Sequence, residues 1–218
     1  MERHFDEELK DLNLLILKMA SVVEEAISKS VEALKRQDKK LAEEIIGSDE
    51  IIDDLELEID ERCVDLLATK QPMAKDLRFI TTGIRITTDL ERIADLAVDI
   101  AQRAEELADQ PLVKPLIDIP KLAVLAQEMV RGALDSFVER NVDLAKDVRN
   151  RDDEADHLRD LVQKELVEII SQDGSKAPRS IPLLLVARHL ERICDHATNI
   201  AEDVVYMAEG RVIKHRPF

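Results

Sequence analysis

The sequence predicts an all-α fold built from two tandem, duplicated three-helix bundles. Apolar residues recur at steps of three and four over long stretches, and the second half of the chain repeats the first. Helix-breaking residues are rare, with 5 Gly and 7 Pro in 218 residues, whereas 36% of residues are Asp, Glu, Lys or Arg. Such a composition is typical of long amphipathic helices.

The first half contains three predicted helices. The first has an apolar stripe over residues 9–33, and the second has one over residues 41–66. The second helix should end before Pro72, because the residue preceding a proline is pushed away from α-helical geometry. The third is predicted over about 76–107.

A proline-containing linker separates the halves. Three prolines fall within ten residues: Pro111, Pro115 and Pro120. The predicted boundaries are therefore 1–108 for the first unit, 109–119 for the linker and 120–218 for the second unit. Three further helices are predicted in the second unit, the last of them opened by Pro178 and Pro182.

The repeat is closest in the third helix of each unit. The segments Leu90–Asp95 and Leu190–Asp195 differ only at Ala94 and Cys194, at an offset of 100 residues. The second helices also match, at an offset of 103 residues that pairs Leu41 with Leu144. Matches at constant offsets indicate a duplicated three-helix unit.

Composition also excludes several classes of protein. The formal net charge is −16, which repels nucleic-acid phosphates and anionic lipids, and only 2% of residues are aromatic. The acidic N-terminus does not resemble a signal peptide, and no apolar run is long enough for membrane insertion. Cys63 and Cys194 are predicted to be reduced core thiols, and we expect a cytoplasmic protein.

Four acid-x3-acid pairs are the candidate sites. At 100° per residue, the two members of each pair stack one turn apart, beside the apolar stripe rather than within it. The pairs are Asp49 with Asp53, Glu91 with Asp95, Asp152 with Asp156, and Glu191 with Asp195. Like charges at this spacing cost a helix about 0.2–0.5 kcal/mol, which a hard cation held by oxygen ligands would offset. The alternative is a solvated acidic face.

These motifs resemble the PhoU family. The resemblance rests on the doubled Leu90–Asp95 and Leu190–Asp195 segments, on Gln71–Arg78, and on the N-terminal Arg3–Leu9. It implies a cytoplasmic regulator of phosphate uptake that represses the phosphate-starvation response. It implies two partners, the ATPase of a phosphate ABC transporter and a phosphate-sensing histidine kinase. It also implies that the four acidic pairs bind iron or zinc clusters on the bundle surface.

We therefore predict a non-enzymatic, metal-binding adaptor in phosphate signalling, and a homodimer would be unsurprising. Two alternatives stay open: a ferritin-like metal-dependent enzyme and a metal-free helical scaffold. The enzyme would need paired Glu-x-x-His motifs, whereas this sequence has one, at Glu154 and His157. His157 and His196 each follow a predicted aspartate ligand, so auxiliary ligation is a further hypothesis.

The two predicted sites are not equivalent. On the acidic stripe of the first unit lie Glu56, Asp60, Thr88 and Asp99, whose counterparts are Arg159, Gln163, Arg188 and Asn199. The second site should consequently bind metal more weakly. We expect the arginines that follow the motif glutamates, Arg92 and Arg192, to pair between helices, because neighbouring residues on a helix do not face each other.

Overall fold

The computed structural model describes residues 2–48 and 50–211, with side chains from residue 5 onward. This part of the chain is helical and contains no strand, as the sequence predicts. Eight α-helices and one 3₁₀ turn follow in order: α1 Glu2–Arg36, α2 Lys39–Ile46, α3 Glu50–Lys70, α4 Lys75–Leu107, α5 Asp118–Glu139, α6 Val142–Asn150, α7 Asp152–Gln172, the 3₁₀ turn Gly174–Lys176, and α8 Ala177–Glu209. Six of the helices are long, which confirms the predicted number.

The duplication extends to the turns. After α1 the chain reverses at Gln37, whose φ is 53°, and after α5 it reverses at Arg140, whose φ is 52°. The next residue caps the following helix in each repeat. The Asp38 side chain accepts a hydrogen bond from the amide of Leu41, at 3.1 Å, and the Asn141 side chain accepts from two amides of α6. Carboxylate and amide oxygens at this position satisfy amides that have no partner within the helix.

The predicted second and fifth helices are each divided in two. In the first repeat α2 ends at Ile46, with Gly47 as its C-terminal cap, and in the second α6 ends at Asn150, with Arg151 as its cap. A short helix thus precedes a long one in each repeat. The apolar stripe runs on across the break, because α2 and α3 both pack on α1 and α4, so hydrophobic spacing alone does not reveal it.

Two prolines lie in the first turn of a helix, Pro120 in α5 and Pro178 in α8, whereas Pro182, predicted to open the last helix together with Pro178, lies inside α8. Pro178 lies in the first turn of α8, where its missing N–H is not needed. Residues 118 and 119 of the predicted linker already belong to α5. The linker is held from both repeats, since the Gln37 side chain donates to the Leu107 carbonyl at 2.9 Å and Arg179 donates to the Pro111 carbonyl at 3.1 Å.

The two repeats pack side by side through α4 and α8, which run antiparallel. The Arg85 guanidinium lies 3.1 Å from the buried Asp203 carboxylate across this contact. The rings of Phe79 on α4 and Phe137 on α5 stack at 5.3 Å between centroids. The repeats therefore share one continuous apolar core.

Both cysteines lie in that core. Cys63 and Cys194 are free and fully buried, as predicted. Burial raises the pKa of the Cys63 thiol to about 12, so it carries no charge at neutral pH. Among the helices of the described chain, none combines the length and apolar character that crossing a bilayer would require.

Candidate functional site

The acidic pairs of the second repeat come together between α7 and α8. We call Asp152, Asp156, Glu191 and Asp195 the second acidic cluster. Burial raises the pKa of Glu191, and the neighbouring Asp195 and Asp156 carboxylates raise it further. Burial likewise raises the pKa of Asp195, followed by the charges of Asp152 and Asp156. The four carboxylates therefore share one electrostatic environment, as expected for facing pairs on two antiparallel helices.

Two polar side chains moderate the repulsion in this cluster. The Thr198 hydroxyl donates to a carboxylate oxygen of Asp152 at 3.3 Å, which opposes the rise in pKa that burial causes. Arg159 donates to Asp156 at 2.7 Å and lies 3.1 Å from Asp160. One guanidinium thus neutralises part of the cluster from within the same helix.

The first repeat places an equivalent set between α3 and α4. We call Asp53, Glu56, Glu91 and Asp95 the first acidic cluster. Burial raises the pKa of Glu91, with further contributions from Asp95, Glu56 and Asp53. Glu56 shows the same effect, because burial and the charges of Asp60 and Asp53 raise its pKa. The remaining predicted ligand, Asp49, lies outside the described residues.

Arg92 departs from its predicted role. We expected it to pair between helices, but its Nε lies 3.3 Å from the adjacent Glu91 and its Nη1 lies 3.2 Å from Asp95. The long side chain lies along the helix surface and its fork reaches both carboxylates. The rule that adjacent residues do not face each other holds for short side chains, and the arginine stem is long enough to overcome it. Arg92 therefore neutralises part of the first acidic cluster from within α4.

The candidate auxiliary histidines are differently placed. His196 is held at the contact between repeats, with its Nδ1 2.8 Å from Oδ1 of Asp89 on α4. His157 is exposed on α7, as is Glu154 of the same Glu-x-x-His motif. The motif therefore points away from the apolar core that a ferritin-like centre would occupy.

Both clusters offer only oxygen ligands, the type that hard cations prefer. In each, burial and then the charges of neighbouring carboxylates raise the pKa of at least two carboxyl groups, and a bound cation would relieve the repulsion between them. The donor chemistry thus fits a metal ion. Within residues 2–48 and 50–211, however, no three carboxylate, imidazole or thiol groups already converge tightly enough to enclose one.

Comparisons with known proteins agree with this architecture. The family model described as "PhoU domain" matches twice, at residues 16–104 and 119–204. The chain is 42% identical over 209 residues to the "Phosphate-specific transport system accessory protein PhoU homolog" of Aquifex aeolicus, covering 96% of this chain and 95% of that protein. It is 39% identical over 210 residues to the protein of the same name from Clostridium acetobutylicum, covering 96% of each.

Two solved structures have the same fold. The crystal structure of PhoU from Pseudomonas aeruginosa superposes with a TM-score of 0.91 at 36% identity, covering 95% of this chain and 100% of that one. The phosphate transport system regulatory protein PhoU from Streptococcus pneumoniae gives 0.90 at 30% identity, covering 96% and 99%. Both the tandem match and the near-complete coverage lead to one assignment: the chain belongs to the PhoU family.

Proposed function

We propose that this protein is an accessory regulator of phosphate-specific transport. One observation carries the proposal, namely that relatives aligned over nearly the whole chain are named as accessory proteins of that transport system. The similarity spans both repeats and the linker between them, so it concerns the complete two-repeat architecture rather than one shared domain.

We further propose an adaptor role in the cytoplasm. The protein would contact the ATPase of a phosphate ABC transporter and a phosphate-sensing histidine kinase, and would repress the phosphate-responsive genes when phosphate is plentiful. The paired repeats support this, because they present two similar but differently charged surfaces on one chain and are joined through a shared apolar core. Homodimer formation is part of the same proposal.

The acidic clusters would contribute by binding metal, with iron or zinc as the candidate ions. Asp53, Glu91 and Asp95, with the predicted ligand Asp49, would hold it in the first repeat. The second acidic cluster would do so in the second repeat. A bound cation would neutralise the crowded carboxylates and tie together the two helices that carry them.

The structure also bears on the two alternatives. An enzyme of the ferritin-like kind is not favoured, because the relatives are named accessory proteins and both Glu154 and His157 are exposed. A metal-free scaffold is favoured by one observation, the lack of a tightly converged ligand set in the described residues. Metal analysis of protein purified without chelator separates this scaffold from the metal-binding adaptor.

The regulatory proposal is tested by deleting the gene and following a phosphate-responsive reporter at high and low phosphate. We expect the reporter to be active at high phosphate in the deletion strain and repressed again after complementation. Pull-downs with the transporter ATPase and with the kinase test the two partners separately. An unchanged reporter under both conditions would rule out the regulatory role.

A further inference from the structure

The second repeat contains a groove between α7 and α8 whose chemistry the acidic clusters do not explain. It encloses about 740 Å³ and continues from the second acidic cluster towards the 3₁₀ turn. Its far end is apolar, with Val167, Leu184 and Leu185 along its walls. Arg188 lies between this apolar end and the carboxylates, and Arg192 lies beside Glu191 and Asp195.

These two arginines differ from the third arginine of the groove in having no close ion-pair partner. Arg188 and Arg192 are exposed and stand one turn apart on α8, and within the described residues neither makes a hydrogen bond or an ion pair of 4.0 Å or less. Their charges act at longer range, since both add to the lowering of the pKa of His189 that burial causes, and Arg192 also lowers that of Asp195, against the rise that burial causes. The third arginine of the groove, Arg159, is by contrast occupied by Asp156 and Asp160. Two free guanidinium groups beside an apolar wall form a surface suited to carboxylates attached to an apolar segment.

The first repeat provides an internal comparison. The equivalent surface between α3 and α4 has Glu56 in place of Arg159, Asp60 in place of Gln163 and Thr88 in place of Arg188. Its one equivalent arginine, Arg92, is bound to Glu91 and Asp95. The same fold thus presents an acidic surface in one repeat and a surface with free cations in the other, so the cations are not a requirement of the bundle.

We propose that the groove between α7 and α8 is a docking site for an acidic amphipathic helix of a partner protein. Apolar residues of that helix would pack against Val167, Leu184 and Leu185, and its carboxylates would pair with Arg188 and Arg192. Helices commonly bind in grooves through one apolar face at spacings of three and four residues. A single small anion is a poorer match, because it would use neither the apolar end nor most of the volume. This inference rests on the adaptor part of the proposed function.

A synthetic peptide tests the site directly. The probe is a fluorescein-labelled helical peptide of Leu and Glu with the leucines on one face, titrated with the full chain in EDTA and followed by anisotropy. Its control is a peptide of the same composition whose order removes the apolar face. We expect the amphipathic peptide to bind at least tenfold more tightly than the control peptide, with affinity falling as salt increases.

Variants then locate the binding surface. We expect Arg188→Glu with Arg192→Glu to weaken peptide binding at least tenfold, and Val167→Asn to weaken it several-fold. The matched control is Lys40→Glu with Lys164→Glu, which changes the net charge equally at exposed positions outside the groove and should leave binding unchanged. The milder Arg188→Gln with Arg192→Gln covers the case in which the charge reversal impairs folding, which circular dichroism reports.

Two results would overturn the proposal. One is equal binding of the amphipathic and control peptides, which would mean simple charge attraction. The other is wild-type affinity in both arginine double variants. The assay uses purified protein without metal or phosphate, so it can fail while the reporter experiment succeeds, and the docking site and the regulatory role are therefore judged separately.

Discussion

Arg159 Nη2 lies 2.7 Å from Oδ1 of Asp156, one turn earlier on α7. In the first repeat the residue equivalent to Arg159 is Glu56, which belongs to the first acidic cluster. At this position the first repeat therefore has a carboxylate, and the second repeat has a cation that pairs with the candidate ligand Asp156. The two clusters occupy equivalent places in the two repeats and differ in the charge around them. Metal binding at the two clusters can therefore be compared within one protein.

Restoring the acid should strengthen metal binding in the second repeat. We expect Arg159→Glu to free Asp156 and add a carboxylate, raising the chelator concentration needed to remove the second-repeat metal about tenfold, because ligand charge tunes such sites. The measurement is protein-bound metal during chelator titration, in a Glu91→Ala, Asp95→Ala background that isolates the second cluster. Lys164→Glu, on the other side of α7, is the control and should have no effect.

The unmodified protein should show two classes of metal. We expect the first cluster to retain metal longer than the second during chelator titration, because the first repeat has Glu56, Asp60 and Thr88 where the second has Arg159, Gln163 and Arg188. Glu91→Ala with Asp95→Ala should remove the tightly held fraction, and Glu191→Ala with Asp195→Ala the labile one. If the second pair of substitutions removes the tighter metal, charge counting is the wrong guide and another ligand, such as His196, must contribute.

Metal-free protein should become more stable when the second cluster is neutralised. The pKa values of Glu191 and Asp195 are raised in the folded state, so between the ordinary and raised values the folded state binds more protons than the unfolded state. The contribution of these groups to the free energy of unfolding therefore falls as pH rises through that window. Above that window both groups are ionised, and their burial and mutual repulsion destabilise the folded state.

We accordingly expect Glu191→Gln with Asp195→Asn to raise the free energy of unfolding at pH 7 by up to about 1 kcal/mol in EDTA, since solvent screens these partly exposed charges. At about pH 3, below the ordinary carboxyl pKa values, Glu191 and Asp195 are largely protonated in both the folded and the unfolded state, and the gain should largely disappear. Urea unfolding at the two pH values measures it. A gain of equal size at both would show that packing, not charge, is responsible.

Helical periodicity was sufficient to predict the six long helices, because each buries a stripe at steps of three and four. It was not sufficient to predict the breaks at Gly47 and Arg151, since the stripe continues across them. The turns carried a stronger signal, because Asp38 and Asn141 cap helices at equivalent positions in the repeats. These caps mark where the two short helices begin but not the breaks that end them, and α7 begins after Arg151 without a side-chain cap.

In the candidate site, too, the relationships within one helix were predictable and those between helices were not. Helix geometry alone placed Glu91 beside Asp95, because that relationship lies within one helix. The contact between Asp89 and His196 joins two repeats, and it depends on how α4 and α8 align, which no local pattern specifies. Arg92 was mispredicted for a different reason, the length and flexibility of its side chain.

The last prediction concerns how the repeats are joined. Phe137 on α5 is 1% exposed and stacks on Phe79 of α4, so it packs one repeat against the other. We expect Phe137→Ala to lower the free energy of unfolding by about 3–5 kcal/mol, the usual cost of removing a buried aromatic ring. Val138→Ala, at the next and more exposed position, should change it by less than about 1 kcal/mol.

The shape of the unfolding curve shows whether the two repeats unfold together or separately. Because α4 and α8 share one core, we expect a single cooperative transition in the wild-type protein, followed by circular dichroism in urea. In Phe137→Ala the whole transition should move to lower urea with an unchanged slope, as expected when one contact of a single cooperative unit is lost. Two separated transitions in the wild type would instead show that each three-helix repeat unfolds independently, and the contact between repeats would then be too weak to make them one folding unit.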